Sequence, residues 1–169
     1  YDPQELATPQ AFRRNPKLVW DWYAWRRELV AVAEPNPGHF ALAKIERLVP
    51  QFTLITQNVD SLHQKAGNIA VIELHGNISR IKCYEEDRIV DHWQEPDGDD
   101  HPRCPRCGGM LRPDVVWFGE MLPAAALRQA INASRSADFF LTIGTSGIVQ
   151  PAASLPFEAI ENGAITVEI

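Results

Sequence analysis

Cysteine is scarce in this chain. Three in 169 residues are too few for a disulfide framework and read instead as metal or redox chemistry in a reducing compartment. Long apolar runs are missing, so no segment approaches the ~20 residues that a membrane-spanning helix needs. No secretory signal pattern is visible either, and a cytoplasmic location is the expectation. Positive charge is in short supply. With 16 Lys and Arg against 22 Asp and Glu, the net charge is −6, which disfavours nonspecific nucleic-acid binding through a basic face. Internal repeats and low-complexity tracts are absent. What is there is ordinary for a globular protein: 45% hydrophobic and 22% charged residues. The length suits one domain, or one domain with a small insertion, around a proper core.

The first fifty residues read as a helical module. Thr8-Pro9 starts one helix and Asn15-Pro16 another, each with a capping side chain before a proline. Leu18, Trp22, Trp25 and Leu29 follow at helical spacing until Glu34-Pro35-Asn36-Pro37-Gly38 breaks the pattern. A third helix is expected over His39–Leu48. Phe52–Thr56, Val71–Leu74, Val115–Phe118, Phe139–Ile143 and Ala164–Ile169 read as strands, with helices over Ala124–Ser134 and Pro156–Asn162. Strands alternating with helices predict an α/β fold with a Rossmann-like, doubly wound parallel sheet, formed by residues 51–79 and 114–169. Residues 80–113 break the alternation. They hold all three cysteines and the polar stretch 94–100, and read as a small inserted module.

Chemistry concentrates at strand ends. Thr56-Gln57-Asn58-Val59-Asp60-Ser61-Leu62-His63 follows the first strand, and Glu73-Leu74-His75-Gly76 ends the second. In open α/β sheets, ligands bind at the carboxyl ends of the strands. Asn and Asp there can hold ribose hydroxyls, and a histidine can take a proton near neutral pH. The bland alternatives are an Asx-turn capping the next helix and a buried, backbone-bonded His75. Gly144-Thr145-Ser146 follows another strand, where backbone and hydroxyls can approach a phosphate. An ordinary turn looks the same.

The run TQNVDSLHQKAG followed by ELHG resembles the sirtuins, the NAD-dependent protein deacylases. Cys104-Pro105-Arg106-Cys107, Arg112-Pro113-Asp114-Val115-Val116-Trp117-Phe118-Gly119-Glu120, Gly144-Thr145-Ser146 and Trp22-Tyr23-Ala24-Trp25-Arg26-Arg27 agree with it, in the family's order. The resemblance implies that His75 is the general base, deprotonating a ribose hydroxyl of NAD after the acyl oxygen has attacked the anomeric carbon. It implies that Gln57 and Asn58 hold the nicotinamide ribose, that Asp60 orients the carboxamide, and that Gly144, Thr145 and Ser146 meet the adenosine half. His63 shapes the loop. It further implies that Val116, Trp117 and Phe118 bind the acylated lysine of a protein or peptide, along a free strand edge. Tyr23 and Arg26, at i, i+3 on one helix face, match the desuccinylase-type subgroup. They predict a preference for succinyl-, malonyl- or glutaryl-lysine over acetyl-lysine.

The metal module departs from the family pattern. Structural zinc commonly takes two C-x-x-C pairs. Here Cys104 and Cys107 form one knuckle, while Cys83 is followed three residues later by Glu86. Zn²⁺ is an expected cofactor beside NAD, with Glu86, Asp87, His92 or His101 as candidate fourth ligand, or the module is metal-free. The family's opening strand and glycine-rich loop, and the Asn that follows the counterpart of Glu168-Ile169, have no match here, so the chain reads as an internal piece of a longer protein. Three functions compete: an NAD-dependent lysine deacylase, an NAD or ADP-ribose sensor without turnover, and a zinc-ribbon interaction domain. The motifs favour the first.

Overall fold

In the computed structural model the described residues are 2–95, 98 and 100–169. Of the polar stretch 94–100, Pro96, Asp97 and Asp99 lie outside them.

Four helices open the chain: α1 (Pro3–Leu6), α2 (Pro9–Arg14), α3 (Pro16–Val32) and α4 (Pro37–Leu48). Each starts with proline in its first turn behind a capping side chain: Asp2, Thr8, Asn15 and Asn36 accept from the N–H groups of Gln4, Ala11, Leu18 and His39. Proline lacks the N–H that a first turn leaves unused, and the cap satisfies a later one. The helix expected from His39 therefore begins two residues earlier, because Asn36-Pro37 is itself a start signal.

Six strands follow: β1 (Leu54–Thr56), β2 (Val71–Glu73), β3 (Gly76–Cys83), β4 (Leu111–Val115), β5 (Phe139–Thr142) and β6 (Ile165–Glu168). Among the described residues they form three pairs. β1 and β2 are parallel, with Thr56 opposite Glu73. β5 and β6 are parallel, with Phe139 opposite Ile165. β3 and β4 are antiparallel, with a register shift between Asn77 and Ile81. Helix α5 (Leu62–Ala66) lies between β1 and β2, and α6 (Ala124–Arg135) and α7 (Leu155–Glu161) flank β5. The α/β class with parallel strands and helical cover is as expected.

One strand differs from expectation. Val115–Phe118 was expected to be extended, but β4 ends at Val115. The chain turns instead. Glu120 donates its backbone N–H to Trp117 O at 2.9 Å, and the intervening Gly119 takes φ +86, a conformation glycine adopts at little cost. At the same end of the pair, opposite Val115, Gly76 has φ +78, and a Cβ there would lie 2.1 Å from the Asp114 carbonyl oxygen. Only glycine permits this crossing of β3 and β4 beside His75.

Three apolar clusters among the described residues hold the fold. Phe12, Val19, Tyr23, Ile78, Val115 and Trp117 join the helices to β3 and β4. Trp20 packs on Ile81, Cys83, Cys104 and Leu111, tying α3 to the cysteine-bearing segment. Leu74, Leu122, Ala130 and Leu155 join β2 to α6 and α7. β3 and β4 run through both limits, 79/80 and 113/114, at which the inserted module was expected to begin and end.

Candidate active site

The carboxyl ends of β1, β2 and β5 come together. Gln57, just past β1, donates its side-chain N–H to Thr145 Oγ1 at 3.1 Å, bridging to the loop after β5. His75, two residues past β2, places Nδ1 3.1 Å from the Gln57 carbonyl oxygen. Its own carbonyl accepts the Val116 N–H at 2.9 Å. Gln57, His75, Thr145 and Val116 thus form one connected group, built from four separate stretches of sequence.

The His75 contact decides its tautomer. A carbonyl oxygen only accepts, so Nδ1 carries the hydrogen and Nε2 keeps its lone pair. Burial lowers the pKa of this imidazole below its ordinary 6.5, against the opposing effect of the Gln57 bond. The ring is neutral at pH 7, with Nε2 ready to accept. Among the described residues, Nε2 has no hydrogen-bond partner.

The loop after β1 is held from beneath. The backbone N–H of Asn58 bonds Thr56 Oγ1 at 3.1 Å, and Asp60 Oδ1 accepts the Leu62 N–H at 2.9 Å. The latter is an Asx-turn, and it uses one carboxylate oxygen. The other oxygen and the Asn58 side-chain amide have no hydrogen-bond partner among the described residues. Ser61 sits at φ 61, fixed by Asn77 Nδ2 at 2.6 Å from its hydroxyl. Asn77 also donates to Glu73 Oε1 at 2.8 Å. Its role was missed in the sequence; a lone Asn in a strand gives no signal. Gly144 has φ +61 and open space where a Cβ would lie, so a ligand can approach its backbone. Ser146 is exposed.

Val116, Trp117 and Phe118 form the turn after β4. Phe118 is 49% exposed and Trp117 only 1%. The Val116 carbonyl has no described partner. Behind the turn lies an ion pair between a buried Arg112 and a partly buried Glu120 that the sequence did not single out. Arg112 donates to both carboxylate oxygens of Glu120, at 2.6 and 2.9 Å, and to the Val115 carbonyl at 2.7 Å. Burial opposes the charge on Glu120, but these bonds and the Trp117 N–H hold its carboxyl below the usual range. Removing one partner of such a pair typically costs ~3–5 kcal/mol. Tyr23, which accepts the Trp117 indole N–H at 3.1 Å, and Arg26 share one face of α3. The Arg26 guanidinium lies 4.8 Å from the Trp22 ring centre and 5.8 Å from that of Tyr23. It has no carboxylate within ion-pair reach among the described residues.

The three cysteines also converge. The ligand atoms of Cys83, Glu86, Cys104 and Cys107 all lie within 4.8 Å of one another. The backbone N–H groups of Cys107 and Arg106 hold the Cys104 thiol below its ordinary pKa; Gly109 N–H points at Cys107 Sγ at 3.4 Å, but the neighbouring Cys83 and Cys104 sulfurs, with burial, push that thiol up to about 11. Amide N–H groups aimed at sulfur favour the thiolate that a metal requires. Three sulfurs and a carboxylate suit tetrahedral zinc. Of the four candidate fourth ligands, only Glu86 reaches the sulfurs. Asp87 pairs with Lys82 at 2.7 Å, His101 is buried against the Leu111 carbonyl at 2.6 Å, and His92 is exposed. Arg106 engages Glu86 in an exposed ion pair; such pairs are weak, and a metal would displace it. Protein purified without chelator should carry about one zinc per chain, with Glu86→Ala lowering its affinity and Glu86→Cys raising it. Emission spectrometry and chelator competition read both, and less than about a tenth of an equivalent would rule out the metal.

His63, His75 and His101 all have pKa values lowered from 6.5 by burial. Each favours the neutral ring when folded. Above pH 6.5 both folded and unfolded states hold neutral rings, and no stability is lost. Below it the unfolded chain binds protons first, so stability should fall as the pH drops from 6.5 toward 5. Urea midpoints taken across that range should decline; a flat series would contradict the assignment.

Parallel strands whose carboxyl ends gather amides, hydroxyls, a carboxylate and a neutral histidine define an α/β protein built to take a ligand at that edge. The sequence profile described as Sir2 family matches residues 1–151. An NAD-dependent protein deacylase of Aquifex aeolicus is 56% identical over the whole chain, which covers 71% of that relative. One from Pyrococcus furiosus is 51% identical, with 70% of its length covered. Among solved structures, a Sir2 homolog–NAD complex superposes with TM-score 0.92 at 47% identity, over 99% of this chain and 66% of that one. A Sir2 protein bound to acetylated peptide gives 0.85 at 34% identity, over 97% and 70%. The chain belongs to the Sir2 family.

Proposed function

We propose that this chain carries the site of an NAD-dependent protein-lysine deacylase that removes succinyl, malonyl and glutaryl groups, and also acetyl. Acyl-lysine, NAD and water would give lysine, nicotinamide and O-acyl-ADP-ribose. The observation that carries the acyl preference is Arg26: a half-buried guanidinium stacked on two aromatic rings, with no carboxylate of its own among the described residues. A guanidinium fork binds a carboxylate with directional, charge-assisted bonds.

The residues fit NAD as a co-substrate. Asn58, the second oxygen of Asp60, the Ser146 hydroxyl and the open approach to Gly144 are polar groups left unused in the loops after β1 and β5, which the Gln57–Thr145 bond joins. Gln57 and Asn58 would hold the ribose beside nicotinamide, Asp60 would accept from its carboxamide, and residues 144–146 would meet the adenosine half. NAD, when bound, supplies the carbon to which the acyl oxygen is transferred. His75 Nε2 takes the proton of a ribose hydroxyl, and the Gln57 carbonyl holds the ring for that task. The Val116 carbonyl accepts the N–H of the acylated lysine, and exposed Phe118 covers its side chain. Holding both substrates at adjoining strand ends contributes proximity.

The test is direct. The chain is incubated with NAD and matched succinyl- and acetyl-lysine peptides, and peptide masses are followed. NAD-dependent loss of succinyl faster than acetyl supports the reading. Acetyl loss alone overturns the acyl preference. Nucleotide binding without release of nicotinamide overturns the enzyme and points to a sensor.

A further inference from the structure

Tyr23 is 1% exposed, and its hydroxyl has one hydrogen-bond partner among the described residues. Trp117 Nε1 lies 3.1 Å away. An indole N–H can only donate, so the phenol oxygen is the acceptor in this bond and its own hydrogen needs another partner. None of the described residues offers one. Burial pushes the phenol pKa up to about 12, so the hydrogen stays on at physiological pH. A buried donor without an acceptor is costly and calls for an explanation.

The indole is itself held on two sides. The Arg112 guanidinium lies 3.3 Å from the Trp117 ring centre, and Phe12 packs against the ring at 5.1 Å between centroids. Its backbone N–H donates to Glu120 Oε2 at 2.8 Å, the carboxylate that Arg112 clamps. Both the ring and the backbone of Trp117 therefore rest on the Arg112–Glu120 pair.

Resting on the acidic-acyl reading above, we infer that Trp117 is a positioning residue for acyl selection. By occupying the acceptor side of the Tyr23 oxygen, its indole N–H leaves the phenol hydrogen as a committed donor for the carboxylate that Arg26 binds, and the Arg112–Glu120 pair fixes the indole in place. Trp117 then acts through Tyr23, without touching the acyl group.

The experiment is a double-mutant cycle on succinyl- and acetyl-lysine peptides with the full chain. Trp117→Phe should raise KM for the succinyl peptide roughly three- to tenfold more than it raises KM for the acetyl peptide, with the two kcat values changing in parallel. In the Tyr23→Phe background, Trp117→Phe should add nothing, because both remove one interaction. Additive losses, or equal losses on both peptides, would overturn the inference while leaving the acyl preference standing. A starting protein with no succinyl preference would overturn the acyl reading and this inference with it. Trp117→Phe also removes core packing, so a second measurement keeps the indole intact. In ¹⁵N-labelled protein, the Trp117 indole resonance should shift on Tyr23→Phe, and in the unaltered protein on adding succinyl- but not acetyl-lysine peptide. An unmoved resonance would be decisive against it.

Discussion

Replacing His75 with alanine should lower the rate of NAD-dependent deacylation by roughly 10²–10⁴-fold, with little change in the melting temperature. The size of the effect follows from the geometry. Nδ1 is committed to the Gln57 carbonyl at 3.1 Å, so the ring cannot rotate without breaking that bond, and Nε2 is presented in one direction. Alanine removes the base and leaves the strand pairing intact, since the backbone carbonyl of residue 75 still accepts from Val116. KM for either substrate should change far less than kcat. In the unaltered protein, the acid limb of the rate profile should lie below pH 6.5, because burial lowers the pKa of this imidazole. Loss of activity with a midpoint above 6.5 would point to a different base.

Replacing Arg26 with methionine should reduce the succinyl-over-acetyl preference by roughly 10–100-fold, nearly all of it through the succinyl substrate. Methionine keeps much of the apolar stem and removes the fork. Arg26 makes no ion pair with any described residue, so the fold loses little, and the stacking on Trp22 at 4.8 Å is partly replaced by sulfur–aromatic contact. Lysine at this position would keep the charge but not the bidentate geometry, and should recover only part of the preference. Paired progress curves on the two peptides read this outcome. Equal rates for both peptides in the unaltered protein would remove the premise.

Much of this was legible from local patterns. Proline behind Thr8 or Asn15 announces a helix start because the reason is local: an unused N–H and a side-chain oxygen within reach. The runs 52–56, 71–74, 139–143 and 164–169 read as strands from equally local patterns, and β1, β2, β5 and β6 lie within them. The sequence does not carry information that depends on two distant segments. Nothing in Val115-Val116-Trp117-Phe118 says that the strand stops at Val115, because the stop is made by Glu120, which accepts the Trp117 N–H, and by the Phe118 N–H donating to Ala7 O. Arg112 looked like part of a motif, not like a buried cation, since its partner lies eight residues on. Glu86 could not be chosen over Asp87 from spacing alone; the choice is made by Lys82, which holds Asp87 away.

β3 begins at Gly76, immediately after His75, and β4 ends at Val115, immediately before Val116. At the far end of the same pair stand Cys83 and Leu111, about 14 Å away by the four-residue rise of β4. The imidazole and the sulfur cluster are therefore the two tips of one lever. Oxidation of the thiols, or extraction of any metal they hold, should fray the pair from its outer end and loosen the grip on His75. A reaction that uses no thiol should then be sensitive to thiol oxidants.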